Sequence, residues 1–584
     1  MCGIAGIVTN DKSAVPAAPI EAMLGALAHR GPDGQGRYEA PGIALAQARL
    51  AIIDLETGGQ PLFGPGGSVL VANGEIYNYV ELRRDFSGAN FATKSDCELP
   101  LYTYARDGGS FAHDLRGMYG IALHADADYL ARDPFGIKPL YYVKYAKGVI
   151  FASEPQAILK TGLVERRIRN EAANELLQLQ FTTGRETIFA GIERVLPGET
   201  IALRNGDLAE RRIEPALPDA PLLELPEDEA LARLDAALMD SVMVHQRSDV
   251  PYGLFFSGGI DSTAILACMA KLNDRPVRCF TARFPETSKS EEAAHARQLA
   301  KAAGAEAMEV EVTAERFWAE LPAIVRAMDD PTSDYAIVPT YMLAQEAAKE
   351  MKVVLCGEGG DELFGGYGRY RSAQRPRWLG GKALRSRGFL DGTQVLRDES
   401  RDWRTNIAVA EARAATHPRT RVQRAQAADC TDWLPHDLLT KLDRCLMAHS
   451  LEGRTPMLDP VIAGLAFRLP DAMKIRGGLG KYLLRKWLEK TMPNARPFAP
   501  KRGFTVPVEE WIAGRAAKLA PLVARQTAHV CYPDAVERLF TSYSGGDKRH
   551  GIACWQLLFY ALWHRIHAEG ADASGDVFDC LEST

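Results

Sequence analysis

The sequence predicts two folds in tandem: an α+β unit rich in sheet, then an α/β unit on a parallel sheet that runs into a helical end. Three observations predict it. At 584 residues the chain exceeds what one hydrophobic core organises. Roughly the first 210 residues alternate short apolar runs with Gly, Pro, Asn and Asp. Beyond a Pro-rich break, apolar strands each pass through a glycine turn into a helix.

In the first part, GIALAQARLAIIDL, SVLVANGEIYN, MYGIALHA and GVIFASE have the period and bounded length of buried or half-buried strands. The stretch Glu214-Pro215-Ala216-Leu217-Pro218 through Pro226 interrupts that pattern and is the expected linker. Domains are therefore expected over 1–212 and 227–584, with 213–226 between them. A helical period sets in with DEALARLDAALMDSVMVHQ. PYGLFFSGG then leads into IDSTAILACMAKL, VRCFTARF into SEEAAHARQLAKAAG, and KVVLCGEGG into DELFGGYGRY. Repeated strand, turn and helix argue for a parallel sheet with crossover helices. The last 150 residues are mainly helical in pattern and include the apolar ACWQLLFYALWHRI.

Composition excludes several function classes. With 46% hydrophobic and 25% charged residues and a net charge of −6, nothing global points to nucleic acid or an anionic membrane. No apolar run approaches the ~20 residues that span a bilayer. MCGIAGIVTNDKS has no basic region ahead of its apolar stretch, so it does not have the form of a signal peptide. Ten scattered cysteines form no CxxC pair, which argues against zinc or a disulfide framework and fits thiols kept reduced in a cytoplasm. Arg369 to Arg424 holds fourteen Lys/Arg against five Asp/Glu; such a run is a solvated or mobile helical face more often than a nucleic-acid insert.

Two segments carry chemistry. Cys2 becomes the first residue once Met1 is removed, and a terminal cysteine can use its own α-amine (ordinary pKa ~7.7–8.0) to form the thiolate. Ser257-Gly258-Gly259-Ile260-Asp261-Ser262 joins an apolar strand to a helix, where small residues let backbone N–H groups converge on phosphate oxygens. The Walker pattern GxxxxGKS/T is absent.

MCGIAGI, His29-Arg30-Gly31-Pro32-Asp33, Arg49 to Asp54, Asn73-Gly74-Glu75-Ile76-Tyr77-Asn78, Ser95-Asp96-Cys97-Glu98, Arg132 to Tyr141 and Phe151-Ala152-Ser153-Glu154 together resemble the glutaminase domain of class II glutamine amidotransferases. Those are N-terminal-nucleophile hydrolases with an αββα sandwich. The second half, through Ser257 to Ser262, Asp329-Asp330-Pro331, Pro339-Thr340-Tyr341, Leu355 to Tyr367, Met447 to Glu452, Gly480 to Arg485 and Lys501-Arg502-Gly503-Phe504, is similar to the asparagine synthetase family, whose ATP-pyrophosphatase-type domain cleaves ATP to AMP and pyrophosphate.

The resemblance implies an enzyme with glutamine, ATP and a carboxylate as substrates, magnesium as the metal, and often a homodimer. It implies that Cys2 attacks glutamine, with Asn73 and the Gly74 N–H as oxyanion donors and Arg49, Asn73, Glu75 and Asp96 binding glutamine. Glu358 would manage the proton of the attacking nitrogen. Leu254, Ser257, Gly258, Gly259, Asp261, Ser262, Ala282, Cys356, Gly357, Asp361 and Lys481 would hold ATP, with Asp261 and Asp361 near the metal. Arg30 and Asp33 are expected to be structural. The acceptor implied is aspartate; a sugar, peptide or natural-product carboxylate is the alternative. Amino-sugar synthesis shares the first half but not the pyrophosphate loop, and lactam-forming relatives tend to lack the terminal cysteine. Two departures stand out: Cys356 where the family usually has serine, and Leu451-Glu452-Gly453-Arg454-Thr455-Pro456-Met457, where it favours an apolar or small residue and then Val-Pro-Phe.

Overall fold

A computed structural model describes all residues except 1, 286–289, 376–383, 401, 418, 500–505 and 583–584. Lys501-Arg502-Gly503-Phe504 and part of the basic stretch 369–424 lie outside the described residues.

The first domain is built on two six-stranded sheets. Its strands are β1 (Gly3–Thr9), β2 (Gly34–Ala40), β3 (Ile43–Arg49), β4 (Leu62–Phe63), β5 (Val69–Ile76), β6 (Gly117–His124), β7 (Asp128–Arg132), β8 (Tyr141–Tyr145), β9 (Gly148–Ala152), β10 (Ile192–Arg194), β11 (Glu199–Arg204) and β12 (Asp207–Ile213). One sheet runs β10-β8-β9-β1-β3-β2 and the other β12-β11-β7-β6-β5-β4. All their pairings are antiparallel. Strand period decides the layers. Ile4 and Val8 of β1 face Val69 and Val71 of β5 between the sheets. Ala5 and Ile7 face outward onto Ile20, Met23, Leu24 and Leu27 of α1 (Ala17–Leu27). Leu70 and Ala72 of β5 face Leu82 of α2 (Tyr79–Asp85) and Leu99, Leu101 and Tyr102 of α3 (Leu99–Asp107). Helix, sheet, sheet, helix is the αββα sandwich. Two further helices, α4 (Pro155–Leu159) and α5 (Asn170–Leu179), join the α1 layer.

After irregular chain from Glu214, α6 (Glu227–His245) starts with Glu227, Asp228 and Glu229 in its first turn, where the helix dipole favours acids. Five parallel strands follow in the order β15-β14-β13-β16-β17. They are β13 (Tyr252–Phe255), β14 (Arg278–Arg283), β15 (Glu306–Glu311), β16 (Val353–Leu355) and β17 (Glu452–Arg454). Crossovers are made by α7 (Ile260–Leu272), α8 (Ser290–Ala302), α9 (Ala314–Ala327) and α10 (Ile337–Ala347). The chain order reverses at β13, between β14 and β16; strand ends at such a switch point open the crevice where ligands bind. Then come α11 (Gly360–Phe364), α12 (Gly368–Ala373), α13 (Thr405–Ala415), α14 (Arg421–Thr431) and α15 (Leu439–Met447). The apolar run near the end forms helix Gly551–Trp563, buried on every side, as a helix without a polar face must be. Among the described residues no helix is long and apolar enough to cross a membrane.

One expected strand is shorter than its apolar pattern. GIALAQARLAIIDL is strand only to Arg49, because Leu50 and Ile52 pack instead on Val353 and Met447 of the second domain. Their hydrophobicity belongs to the interface.

Candidate active sites

β1 begins at Gly3 and delivers Cys2, 7% exposed, to the middle of β5. The Cys2 backbone N–H donates to Asn73 Oδ1 at 3.1 Å. With Oδ1 occupied, the amide orientation is set, and Asn73 Nδ2 is buried with no hydrogen-bond partner among the described residues. Burial pushes the Cys2 thiol up; the Leu50 backbone and the Arg49 charge pull it back. At Gly74 a Cβ would lie 2.0 Å from the Met118 carbonyl oxygen, so β5 can pass β6 here only as glycine.

A buried acid, Glu75, lies near the thiol, and a second, Asp96, lies near Glu75. Asp96 Oδ2 accepts the Ile76 amide at 2.6 Å, and burial still raises its carboxyl against that bond. Glu75 Oε2 lies 3.3 Å from Arg454 Nη2, yet burial and the charges of Glu452 and Asp96 hold Glu75 well above the usual carboxylate range. Arg49 donates through Nη2 to the Asp54 carbonyl at 2.6 Å, which aims its guanidinium from the end of β3.

The second cluster sits at the switch point. Ser257-Gly258-Gly259 turns β13 into α7, with Gly258 at φ 70° and Ser257 Oγ accepting the Gly259 amide at 3.2 Å. Asp261 lies in the first turn of α7. Lys481, 5% exposed, donates to Asp261 Oδ2 and lies 2.7 Å from Asp361 Oδ1, so three distant motifs meet at one ammonium. Glycines make room for it: a Cβ at Gly360 would sit 2.2 Å from Asp261 Oδ1, and one at Gly366 would sit 1.8 Å from Asp361 Oδ1 and 2.4 Å from Lys481 Cε. Gly357 approaches the Ser262 amide, where a Cβ would come to 3.2 Å. Leu254 and Cys356 point into the core, and Ala282 is buried on β14, so what they offer a ligand is backbone. Burial raises the Glu358 carboxyl, with Lys441 as the main opposing charge.

The comparisons with known proteins follow the same division. Residues 1–213 match the family model described as glutamine amidotransferase domain, and residues 233–565 match that described as asparagine synthase. A putative asparagine synthetase (glutamine-hydrolyzing) of Mycobacterium bovis is 36% identical, covering 97% of this chain and 98% of its own. Asparagine synthetase (glutamine-hydrolyzing) 1 of Bacillus subtilis is 33% identical with 97% of each chain covered. The chain belongs to the asparagine synthase family. Asparagine synthetase B of Escherichia coli is more distant, at 28% identity over 86% of this chain and 82% of its own.

In this asparagine synthase family member the domain interface joins charged residues of the motifs to Asp443 and Arg444, which no motif singled out. Arg30 Nε donates to the Cys2 carbonyl at 3.1 Å, and its Nη atoms grip Asp443 of α15 at 2.8 and 3.0 Å. Arg30 Nη1 also meets Glu154 Oε1 at 2.8 Å. Next along α15, Arg444 Nε donates to Asp329 Oδ1 at 2.7 Å. Arg30, expected to be structural, therefore touches the backbone of Cys2. The Asp443-Arg444 pair inside an otherwise amphipathic helix was the available signal. Asp33 binds Lys352 Nζ at 2.7 Å across the same interface and accepts the Ala51 amide of its own domain at 2.8 Å.

Proposed function

We propose that the protein is a glutamine-dependent asparagine synthetase. It hydrolyses glutamine at Cys2 and passes the ammonia to β-aspartyl-AMP made from aspartate and ATP, giving asparagine, AMP and pyrophosphate. One observation carries this reading. Arg454 of β17 reaches Glu75 in the Cys2 pocket with its side chain, while its carbonyl accepts the Cys356 amide at 2.8 Å beside Glu358. A single residue joins the walls of both sites, as transfer between them requires.

With Met1 removed, the Cys2 α-amine held by Asn73 Oδ1 takes the thiol proton. The thiolate adds to the glutamine side-chain amide, and Asn73 Nδ2 with the Gly74 N–H receives the oxyanion, a contribution of ~3–4 kcal/mol. Ammonia leaves, and water cleaves the thioester to glutamate. Arg49 takes the glutamine α-carboxylate and Glu75 with Asp96 the α-ammonium. At the second site the Ser257 to Gly259 backbone and Ser262 cradle phosphates at the α7 N-terminus, the backbone of Leu254, Ala282, Cys356 and Gly357 borders adenine, and Lys481 meets the phosphate charge. The aspartate carboxylate attacks the α-phosphorus and pyrophosphate departs. Ammonia then attacks the acyl carbon and AMP departs, while Glu358, kept high by burial, receives the nitrogen's proton.

Among the described residues no three His, Cys, Asp or Glu side chains cluster as a metal site. Magnesium nevertheless fits Asp261 and Asp361, since two converging carboxylates plus substrate phosphates are its usual donor set. When bound, it neutralises phosphate charge. Ammonia that met water at neutral pH would become ammonium, so a closed passage across the interface belongs to the proposal; Leu442 and Leu446 around Gly453 supply apolar wall there. Ten scattered cysteines without a CxxC pair support a reducing cytoplasm. Sedimentation would test the homodimer that the family resemblance implies.

The deciding experiment incubates the enzyme with glutamine, ATP, magnesium and aspartate and identifies products. Asparagine with AMP is expected; ADP with phosphate, or no asparagine, refutes the reading. Cys2→Ala is expected to abolish glutamine-dependent synthesis and to keep synthesis from ammonium salts. Loss of both together would refute the two-site scheme.

A further inference from the structure

The basic stretch from Arg369 to Arg424 is not simply a solvated face. Arg369 of α12 donates through Nε to Asp429 Oδ2 at 2.7 Å, and Arg385 Nη2 lies 3.8 Å from Asp429 Oδ1. Two guanidiniums thus share one buried carboxylate. Both also stack on Trp433, with Cζ 5.1 and 3.7 Å from the ring centre, and Arg369 lies 3.9 Å over Tyr367. Stacking engages the guanidinium faces and leaves their edges free to donate.

Four polar atoms of this cluster are buried with no hydrogen-bond partner among the described residues: Arg369 Nη2, Arg385 Nη2, Trp433 Nε1 and Tyr370 Oη. Three can only donate and the fourth can donate. Buried polar atoms are nearly always satisfied in native proteins, so four donors in one side-chain cluster call for an acceptor. The neighbouring acids are engaged elsewhere. Glu362 Oε1 accepts from Tyr367 Oη at 2.8 Å, and Asp437 accepts from Gln180 at 2.9 Å and from Thr332. The cluster opens outward at its arginines, whose side chains are 25% (Arg369) and 13% (Arg385) exposed.

We propose that Arg369, Arg385, Tyr370 and Trp433 form a binding site for a small oxyanion, of the phosphate or carboxylate class. Two guanidinium edges, an indole N–H and a phenol O–H would give it charge-assisted bonds from several sides. The site is separate from the cluster around Lys481 but adjoins it in sequence, since Tyr367 links it to Glu362 of α11, next to Asp361.

The test uses the full-length enzyme with a saturating non-hydrolysable ATP analogue, so that the nucleotide site is taken. Inorganic phosphate and, separately, acetate and succinate are titrated by calorimetry. Saturable binding is expected, with Arg385→Gln weakening it about tenfold or more. Trp433→Phe, which keeps the ring and removes the donor, should weaken it about threefold or more. Tighter phosphate marks a phosphoryl ligand, and tighter carboxylate an organic acid. Absence of saturable binding, or equal affinity in both variants, overturns the proposal; if Arg385→Gln does not fold, Trp433→Phe decides.

Discussion

Glu175 shows how burial alone sets the behaviour of a single side chain. It lies in α5 and accepts a hydrogen bond from Thr183 Oγ1, and burial pushes its carboxyl up to about 7 against that bond. The folded pKa lies above the ordinary value of 4.5, so the unfolded chain loses its proton first as pH rises. Stability is therefore lost between about pH 4.5 and 7, up to ~3 kcal/mol, and the cost is constant above that window. Glu175→Gln keeps the acceptor for Thr183 and does not titrate. Its thermal midpoint should exceed that of the natural protein at pH 8 and match it at pH 4.5; an equal difference at both pH values would refute the assignment. At this scale the sequence was informative where chemistry needs a residue type at a fixed place, as with Cys2 beside Asn73. It was silent on residues such as Arg454, whose partner Glu75 lies in the other domain. No local pattern announces such a pair.

The elements that meet at Lys481 are short turns whose glycine content is forced by close packing. Around Lys481, the glycines of the 357–366 segment leave room for Asp261 and Asp361. Gly366→Ala would drive a methyl into the Asp361 carboxylate and the Lys481 stem, at 1.8 and 2.4 Å. The expected outcome is loss of asparagine formation from glutamine and from ammonium alike, on the order of a hundredfold or more as groups are displaced by about 1 Å. Glutamine hydrolysis should persist. Loss of hydrolysis to the same degree would mean that the change unfolds the chain. Most elements were legible because strand period and glycine turns are local signals: β5, β6, β9, α6 and α7 lie where the pattern puts them. β17 was not legible. Its three residues, Glu452, Gly453 and Arg454, carry two charges, which a buried strand tolerates only because they pair with each other at 2.6 Å and with Glu75.

For the whole molecule, the question is how glutamine hydrolysis is tied to a synthetase site built more than 200 residues later in the chain. The fold supplies one continuous charged link. From Cys2 it runs through Arg30 to Asp443, and from the adjacent Arg444 to Asp329, all buried. Its partners stand 413 residues apart in the sequence, which is why periodicity could not reveal it. A buried pair of this kind is a weak source of net stability, but removing one partner strands the other charge. Asp443→Asn leaves one acceptor oxygen for three guanidinium nitrogens, two of Arg30 and one of Arg444, and should destabilise the fold by ~3 kcal/mol. It should also loosen the Cys2 carbonyl from its anchor, so that hydrolysis continues without synthesis keeping pace. The readout is glutamate released per asparagine formed, expected to rise from near unity, while synthesis from ammonium salts is retained. A lowered melting temperature with an unchanged ratio would leave the link a matter of stability only, and the coupling would have to be sought along β17 and Arg454.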